Sequence, residues 1–311
     1  MNHRASHEET SAFITLFDGK KMDISGLTVD QLWTLHYEQE KAFADLIKNE
    51  KPFSVERAAI MKNGYETIHK IMTIRNNKKG KELNSYGAKD LYVKLVEKIV
   101  KKVIVQKGKC LFFEAGVGTG KIISHIANLE NVNAIGCDVF VDEKLANTRL
   151  LVYECTIYDA LLKLDNNSIN VFYWNDVMEH IPEDEIEEYI KLLSQKMDID
   201  GIVVTITPNK LKGPCDITAY FEPKGTVAKG FHFHEYTFYE ILTMFQRYSI
   251  KSEYGFWGYA GKGWYILGSS KYIDKIKLFV EKKVKNFPYK IKKLLLVMMG
   301  CDTSILKKVK Q

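Results

Sequence analysis

The spacing of apolar positions changes twice along the chain. Over 31–47 they recur every three or four residues, which predicts a helix with one buried face. Residues 54–71 repeat that pattern, with Ser54 placed as a cap and Glu56 close behind it. Asn76-Asn-Lys-Lys-Gly-Lys reads as a polar break, and 92–105 predicts a third helix. From 108 onward short apolar runs alternate with helical stretches. The runs 110–114, 132–138, 150–153, 169–174 and 202–207 read as strands. Between them, 121–129 and 183–197 read as helices, with Pro182 at the first position of the second. Such alternation predicts βαβ units and a mostly parallel α/β sheet. Two later runs, 248–256 and 263–268, lack an intervening helix and predict a hairpin that closes the sheet. Past 271, Ile273, Ile276, Phe279, Val280 and Val284 fall at helical spacing among lysines, and 289–299 repeats this. The chain therefore divides into a helical region (1–95), a ligand-binding α/β domain (96–270) and a lysine-rich helical tail (271–311).

Composition narrows the class. With 311 residues, 46% hydrophobic and 27% charged, the chain can form a packed core, and global disorder is excluded. Its longest apolar run, 294–300, is far short of the roughly 20 residues a bilayer crossing needs. Residues 1–10 are polar and carry no hydrophobic signal core. The five scattered cysteines fit a reducing compartment better than a disulfide framework or a cysteine-based zinc site. Together these predict a cytoplasmic protein. The charge is uneven: residues from 271 onward hold 12 Lys against 3 acids, whereas the preceding 270 hold 33 Lys and Arg against 36 acids. A mildly acidic body argues against a nucleic-acid partner on electrostatic grounds. A basic tail suits an anionic membrane surface, a second subunit or its own domain.

The motif that carries chemistry is Glu114-Ala115-Gly116-Val117-Gly118-Thr119-Gly120, between an expected strand and an expected helix. Glycines let the backbone turn sharply and let a ligand approach with no Cβ in the way. Lys121 is followed by Ile122, so the Ser or Thr that a nucleotide-triphosphate loop offers to magnesium is missing. Glu114 would repel a pyrophosphate and attract a cationic amino-acid end. Asp138, at the tip of the next strand, can accept both ribose hydroxyls of a nucleoside. Nicotinamide dinucleotides and S-adenosylmethionine both carry that ribose. The acid-led loop with Asp138 fits S-adenosylmethionine better, and a nicotinamide-dependent enzyme is the alternative.

These residues resemble the class I, Rossmann-like methyltransferases that use S-adenosylmethionine. The resemblance covers about 86–270. It rests on Glu114–Gly120, Asp138, Asn175-Asp176-Val177-Met178-Glu179-His180-Ile181-Pro182 and Thr207-Pro208-Asn209. It implies a seven-stranded, doubly wound sheet with one antiparallel strand. It also implies that Gly116, Gly118 and Gly120 form the bend under the methionine moiety near Glu114. Asp138 would hold the ribose, and Val139, Glu154 and Cys155 would flank the adenine. Asn175 and Asp176 would sit near the reacting methyl. Glu154-Cys155 departs from the family's usual Asp followed by a small residue.

The acceptor is less legible. Methyl transfer from a sulfonium needs alignment, and a hydroxyl acceptor also needs its proton removed, for which histidine is suited. His180, His232 and His234 are the candidates, the last two in a long segment, 209–236, that also holds Tyr236. The region 1–95 would cover the acceptor side, with Tyr65, Tyr86 and Tyr92 as candidate lining or core residues. Glu179, His180 and His232, with Asp176, also look similar to the metal site of small-RNA 3′-end 2′-O-methyltransferases and of ubiquinone-pathway O-methyltransferases. The position reading Asn175-Asp176-Val177-Met178 lacks the Asn/Asp-Pro-Pro-Tyr/Phe motif of base-amino methylation. The expectation is a methyltransferase similar to O-methylating enzymes of small molecules or glycan precursors. A divalent metal, an amine acceptor and a non-catalytic binding protein are alternatives.

Overall fold

The computed structural model describes residues 12–80, 89–141, 145, 150–259 and 263–310. Tyr86 lies outside them. The chain forms two compact units, Met1–Ser85 and Tyr86–Gln311.

The first unit opens on a small antiparallel hairpin, β1 (Phe13–Thr15) and β2 (Lys21–Asp23), followed by α1 (Val29–Asn49) and α2 (Val55–Lys78). Thr28 and Gln31 form a reciprocal cap at the start of α1. Ser54 caps α2 as expected, by accepting the Arg57 N–H at 3.1 Å. The helix continues through Asn76, which is buried, so the polar run at 76–78 is helix and the break falls after it. The hairpin was not expected, although Asp18-Gly19 is a turn dipeptide.

The second unit is built on an eight-stranded sheet. Its elements in order are α3 (Asp90–Lys107), β3 (Cys110–Ala115), α4 (Lys121–Ile126), β4 (Val132–Asp138), β5 (Leu151–Glu154), α5 (Ile157–Leu162), β6 (Ile169–Asn175), α6 (Ile186–Lys196) and β7 (Met197–Ile206). There follow α7 (Thr218–Phe221), α8 (Phe238–Gln246), β8 (Ile250–Tyr259), β9 (Trp264–Ser269), α9 (Ser270–Val284), α10 (Tyr289–Met298) and β10 (Thr303–Lys308). The strand order is β5-β4-β3-β6-β7-β10-β8-β9, and the first five strands are parallel. Side chains alternate across each strand. Phe113, Phe172 and Trp174 therefore pack on one face with α5, α6 and α8. Phe112, Val171 and Val204 pack on the other with α3 and α4. This is the expected mostly parallel, doubly wound sheet.

Three details differ from the sequence expectation. The sheet has eight strands where seven were expected, and β9 as well as β10 runs antiparallel to its neighbours. The late hairpin β8–β9 forms, but β10 separates it from the parallel strands. The tail therefore contains two helices and then an internal strand, because Leu306 and Ile305 complete the two opposite faces of the core. Pro182 sits a turn ahead of α6, where its carbonyl accepts the Glu185 N–H at 2.9 Å.

Candidate functional site

The order of the strands locates the site. From β3 the chain lays down β4 and β5 to one side and β6 and β7 to the other. The crevice beyond the C-terminal ends of β3 and β6 is a topological switch point, the usual place for a ligand in an open α/β sheet. Glu114 is next to last in β3, and Asn175 is last in β6.

The bend after β3 folds as its glycines require. Gly116, Gly118 and Gly120 all have positive φ, at 71°, 49° and 72°. The N–H groups of Gly116 and Val117 donate to the Cys137 carbonyl at 2.8 and 3.2 Å, which ties the bend to β4. A Cβ on Gly116 would run into Val177, whereas one on Gly118 would meet no atom within 4 Å. Gly118 thus borders open space. Asp138 receives the Gly118 N–H at 2.9 Å on one carboxylate oxygen and the Phe140 N–H at 3.3 Å on the other. Each oxygen keeps a lone pair for a further donor. Burial raises the Asp138 pKa, and the N–H groups of Gly118, Phe140 and Val139 oppose that rise.

Glu114 is buried, and its Oε2 has no hydrogen-bond partner. Burial, with Asp138 adding, lifts its pKa well above the usual carboxylate range. Tyr173 Oη and Asn175 Oδ1, on the adjacent strand, are also buried and unpaired. Unsatisfied buried polar atoms are uncommon and call for a partner. Glu154 pairs with Asp138 in the sheet register, and the Cys155 N–H donates to the Asp138 carbonyl at 3.0 Å. Val139, Glu154 and Cys155 therefore adjoin Asp138 by backbone position.

A polar cluster lies past β6. Asp176 adopts φ 52°, a left-handed conformation that Asp tolerates better than most residues, and its N–H donates to the Ile206 carbonyl at 2.9 Å. Its carboxylate accepts the Asn175 amide at 3.1 Å. Asp176 remains solvent-accessible although much protein surrounds it. Burial raises its pKa, and His232 opposes that rise. Glu179 is fully buried. Its Oε2 accepts the Thr207 hydroxyl at 2.8 Å, and its Oε1 is unpaired. Burial, with Asp176 adding, raises Glu179 to about 8.

The His180 and His232 rings meet edge to face with centroids 4.8 Å apart. Burial, with His232 adding, lowers His180 to about 3, against a hydrogen bond to the Phe231 backbone. Burial also works against charge on His232, but the hydrogen bond to Glu235 at 2.9 Å, with Glu179 and Asp216, prevails and raises it to about 9. These shifts favour the imidazolium at His232, the protonated carboxyl at Glu179 and the neutral imidazole at His180. One ligand atom from each of Glu179, His180 and His232 lies within 4.8 Å of the others.

His234 is engaged elsewhere, with Nδ1 3.4 Å from Glu183 and its ring 4.5 Å from that of Tyr236. The expected trio of histidines is thus split: His180 and His232 meet, and His234 pairs with Glu183 and Tyr236. The segment 209–236, which carries His232 and His234, closes on itself through a bridge between Asn209 and Tyr236.

Sequence reasoning missed several neighbours. Glu235 fixes His232 and also accepts the Cys215 N–H at 2.6 Å. Lys212 pairs with Asp302, and both act electrostatically on Asp176. His232-Phe233-His234-Glu235 spacing could have flagged Glu235. Nothing local could have flagged Asp302, which accepts the Asn209 N–H from 93 residues away.

No family model matches the chain, and no curated protein matches it in sequence. Solved structures similar to it include an S-adenosylmethionine-dependent methyltransferase from Archaeoglobus fulgidus, 18% identical with a TM-score of 0.43, over 70% of this chain and 94% of that one. Another is 1,6-didemethyltoxoflavin-N1-methyltransferase from Burkholderia thailandensis, 11% identical with a TM-score of 0.45, over 84% and 93%. A third is a putative sarcosine dimethylglycine methyltransferase from Galdieria sulphuraria, 9% identical with a TM-score of 0.41, over 69% and 86%.

Proposed function

We propose that the chain is an enzyme that transfers a methyl group from S-adenosylmethionine to a hydroxyl of a small-molecule or glycan-precursor acceptor. The observation that carries this reading is the set of unpaired buried acceptors, Glu114 Oε2 and Asn175 Oδ1, flanking an open glycine bend opposite Asp138. The residues present fit the cofactor. Asp138 has lone pairs to receive two ribose hydroxyls, and Glu114 offers an acceptor for the ammonium of the methionine end. Gly118 leaves the approach clear, and Asn175 and Asp176 would meet the reacting end. When bound, the sulfonium supplies an activated methyl with a good leaving group. The chain's own contribution is then to align the acceptor and receive its proton. Incubation with methyl-labelled S-adenosylmethionine and host metabolites tests the reading. A labelled, base-stable ether product is expected, and no labelled product from any extract would contradict it.

A second reading adds a divalent cation. The environment works against a free base here: burial disfavours charge on His180 and ionisation of Glu179, and Glu235 and Glu179 favour the imidazolium of His232. Glu179 Oε1, His180 and His232, with Asp176 beside them, are the donor set such an ion takes. When bound, it would lower the pKa of the acceptor hydroxyl. Under this reading, exhaustive chelation removes activity, and a divalent metal restores it. Glu179→Gln then lowers bound metal, measured by elemental analysis, by about tenfold or more. Full activity after chelation would leave the metal-free reading alone.

A further inference from the structure

The helices α9 and α10 turn an unusual surface outward. On α9, Tyr272, Ile276 and Phe279 form one exposed stripe, with Tyr272 and Phe279 67% and 61% exposed. On α10, Ile291, Leu294 and Met298 do the same, and Leu294 is 56% exposed. The spacings, four then three residues and three then four, put each trio on one helical face. The opposite faces bury Lys277, Val284 and Leu296 against the rest of the unit. Each helix therefore carries a row of large apolar side chains on its outward face.

The charges around these stripes have one sign. The only acids between 271 and 300, Asp274 and Glu281, are both buried. Of the lysines in the same stretch only Lys277 is buried. Glu281 is used internally, where it accepts the Phe238 and Tyr239 N–H groups at 2.7 and 3.1 Å. The hairpin thus shows solvent only positive charge, interleaved with large apolar side chains. Lys283 lies 5.7 Å from the Phe279 ring centroid, close enough for both to meet one surface.

We infer that the α9–α10 hairpin docks flat on an anionic lipid bilayer. An apolar stripe flanked by lysines is what an interfacial helix requires, since the ring and aliphatic groups enter the headgroup boundary while ammonium groups meet acidic headgroups. Crossing the bilayer is not available to it: among the described residues no helix is long and apolar enough. A second copy of the chain fits less well, because two such surfaces would bring like charges together. The hairpin is also joined to the segment that carries His232. The Tyr289 hydroxyl of α10 donates to the Lys212 carbonyl at 3.0 Å, and Lys224 lies 4.9 Å from the Tyr289 ring centroid. Docking would bring that segment to within roughly a helix diameter, ~10 Å, of the interface.

Co-sedimentation of the full chain with phosphatidylcholine vesicles, and with vesicles holding about a third phosphatidylserine, tests this independently of methyl transfer. The chain should pellet with the anionic vesicles at least tenfold more strongly than with the neutral ones, and molar salt should weaken binding. The exposed double variants Lys282→Glu/Lys283→Glu and Phe279→Glu/Leu294→Glu should each lower binding by about tenfold or more. Circular dichroism checks that each keeps its fold. Absence of pelleting, equal pelleting with both vesicle types, or unchanged binding by the folded variants would each overturn the inference. So would vesicle-independent self-association that the Phe279→Glu/Leu294→Glu variant abolishes, which would assign the surface to a second copy of the chain.

Discussion

At the scale of single residues, the site depends on two kinds of atom: carboxylate oxygens kept available, and glycines that keep a space clear. Asp138 does two jobs, since it also holds the Gly118 N–H. Hydrogen bonds to charged groups contribute about 1.5–3 kcal/mol each, so Asp138→Ala should weaken S-adenosylmethionine binding by about 10- to 100-fold. Gly116→Ala should cost about 1–3 kcal/mol of stability, read as a lower Tm, because its φ of 71° strains an L side chain and the new Cβ meets Val177. These residues were legible in the sequence because their signal is local: a strand, a glycine turn, then an acid at the next strand tip. Glu179 and His180 were legible as a motif, but their protonation was not. It follows from burial, with Asp176 adding at Glu179 and His232, which arrives 52 residues later in sequence, adding at His180. His234 shows the limit of reading by proximity in sequence. It stands two residues from His232, yet its ring pairs with Glu183 and Tyr236.

At the scale of elements, the tail is the least expected part. Strand β10 inserts between β7 and β8, with Ile305 opposite Val204 and Tyr254. An internal strand usually reads as a near-continuous apolar run. Here only Ile305 and Leu306 are apolar, between Thr303-Ser304 and Lys307-Lys308, so the pattern could not separate it from a lysine-rich helix. Both apolar side chains are buried, and Ile305→Ala should lower the free energy of unfolding by about 2–5 kcal/mol in urea denaturation. Lys277 joins α9 to β10 by donating to the Thr303 carbonyl at 2.8 Å. Burial, opposed by Cys301, Asp274, Asp302 and Glu281, lowers it to about 8. The folded state then binds fewer protons than the unfolded state between about pH 8 and the usual lysine value of 10.5, so this group makes stability rise with pH across that window. Urea denaturation at pH 8 and pH 10 should show that Lys277→Met removes a rise on the order of 1–3 kcal/mol.

At the scale of the whole molecule, the candidate site belongs to the Tyr86–Gln311 unit, and both ends of that unit's chain contribute to it. Asp138 and Glu114 come early, whereas Asp302, which acts on Asp176, comes from the turn before β10. A truncation after Gly300 deletes β10 and leaves β7 and β8 with unpaired internal edges, so it should yield aggregated protein that binds no S-adenosylmethionine. The doubly wound architecture was legible from strand–helix alternation, which repeats along the chain and is robust to errors at single boundaries. The eighth strand and the place of the tail were not, because sheet order depends on pairings far apart in sequence. The central claim is a pocket built for a sulfonium nucleoside at the β3–β6 switch point. Calorimetric titration with S-adenosylmethionine tests it most directly. The account predicts saturable one-to-one binding by the full chain that Asp138→Ala weakens by at least about tenfold while leaving the fold intact. An undetectable heat of binding, or equal affinity in the folded variant, would contradict it.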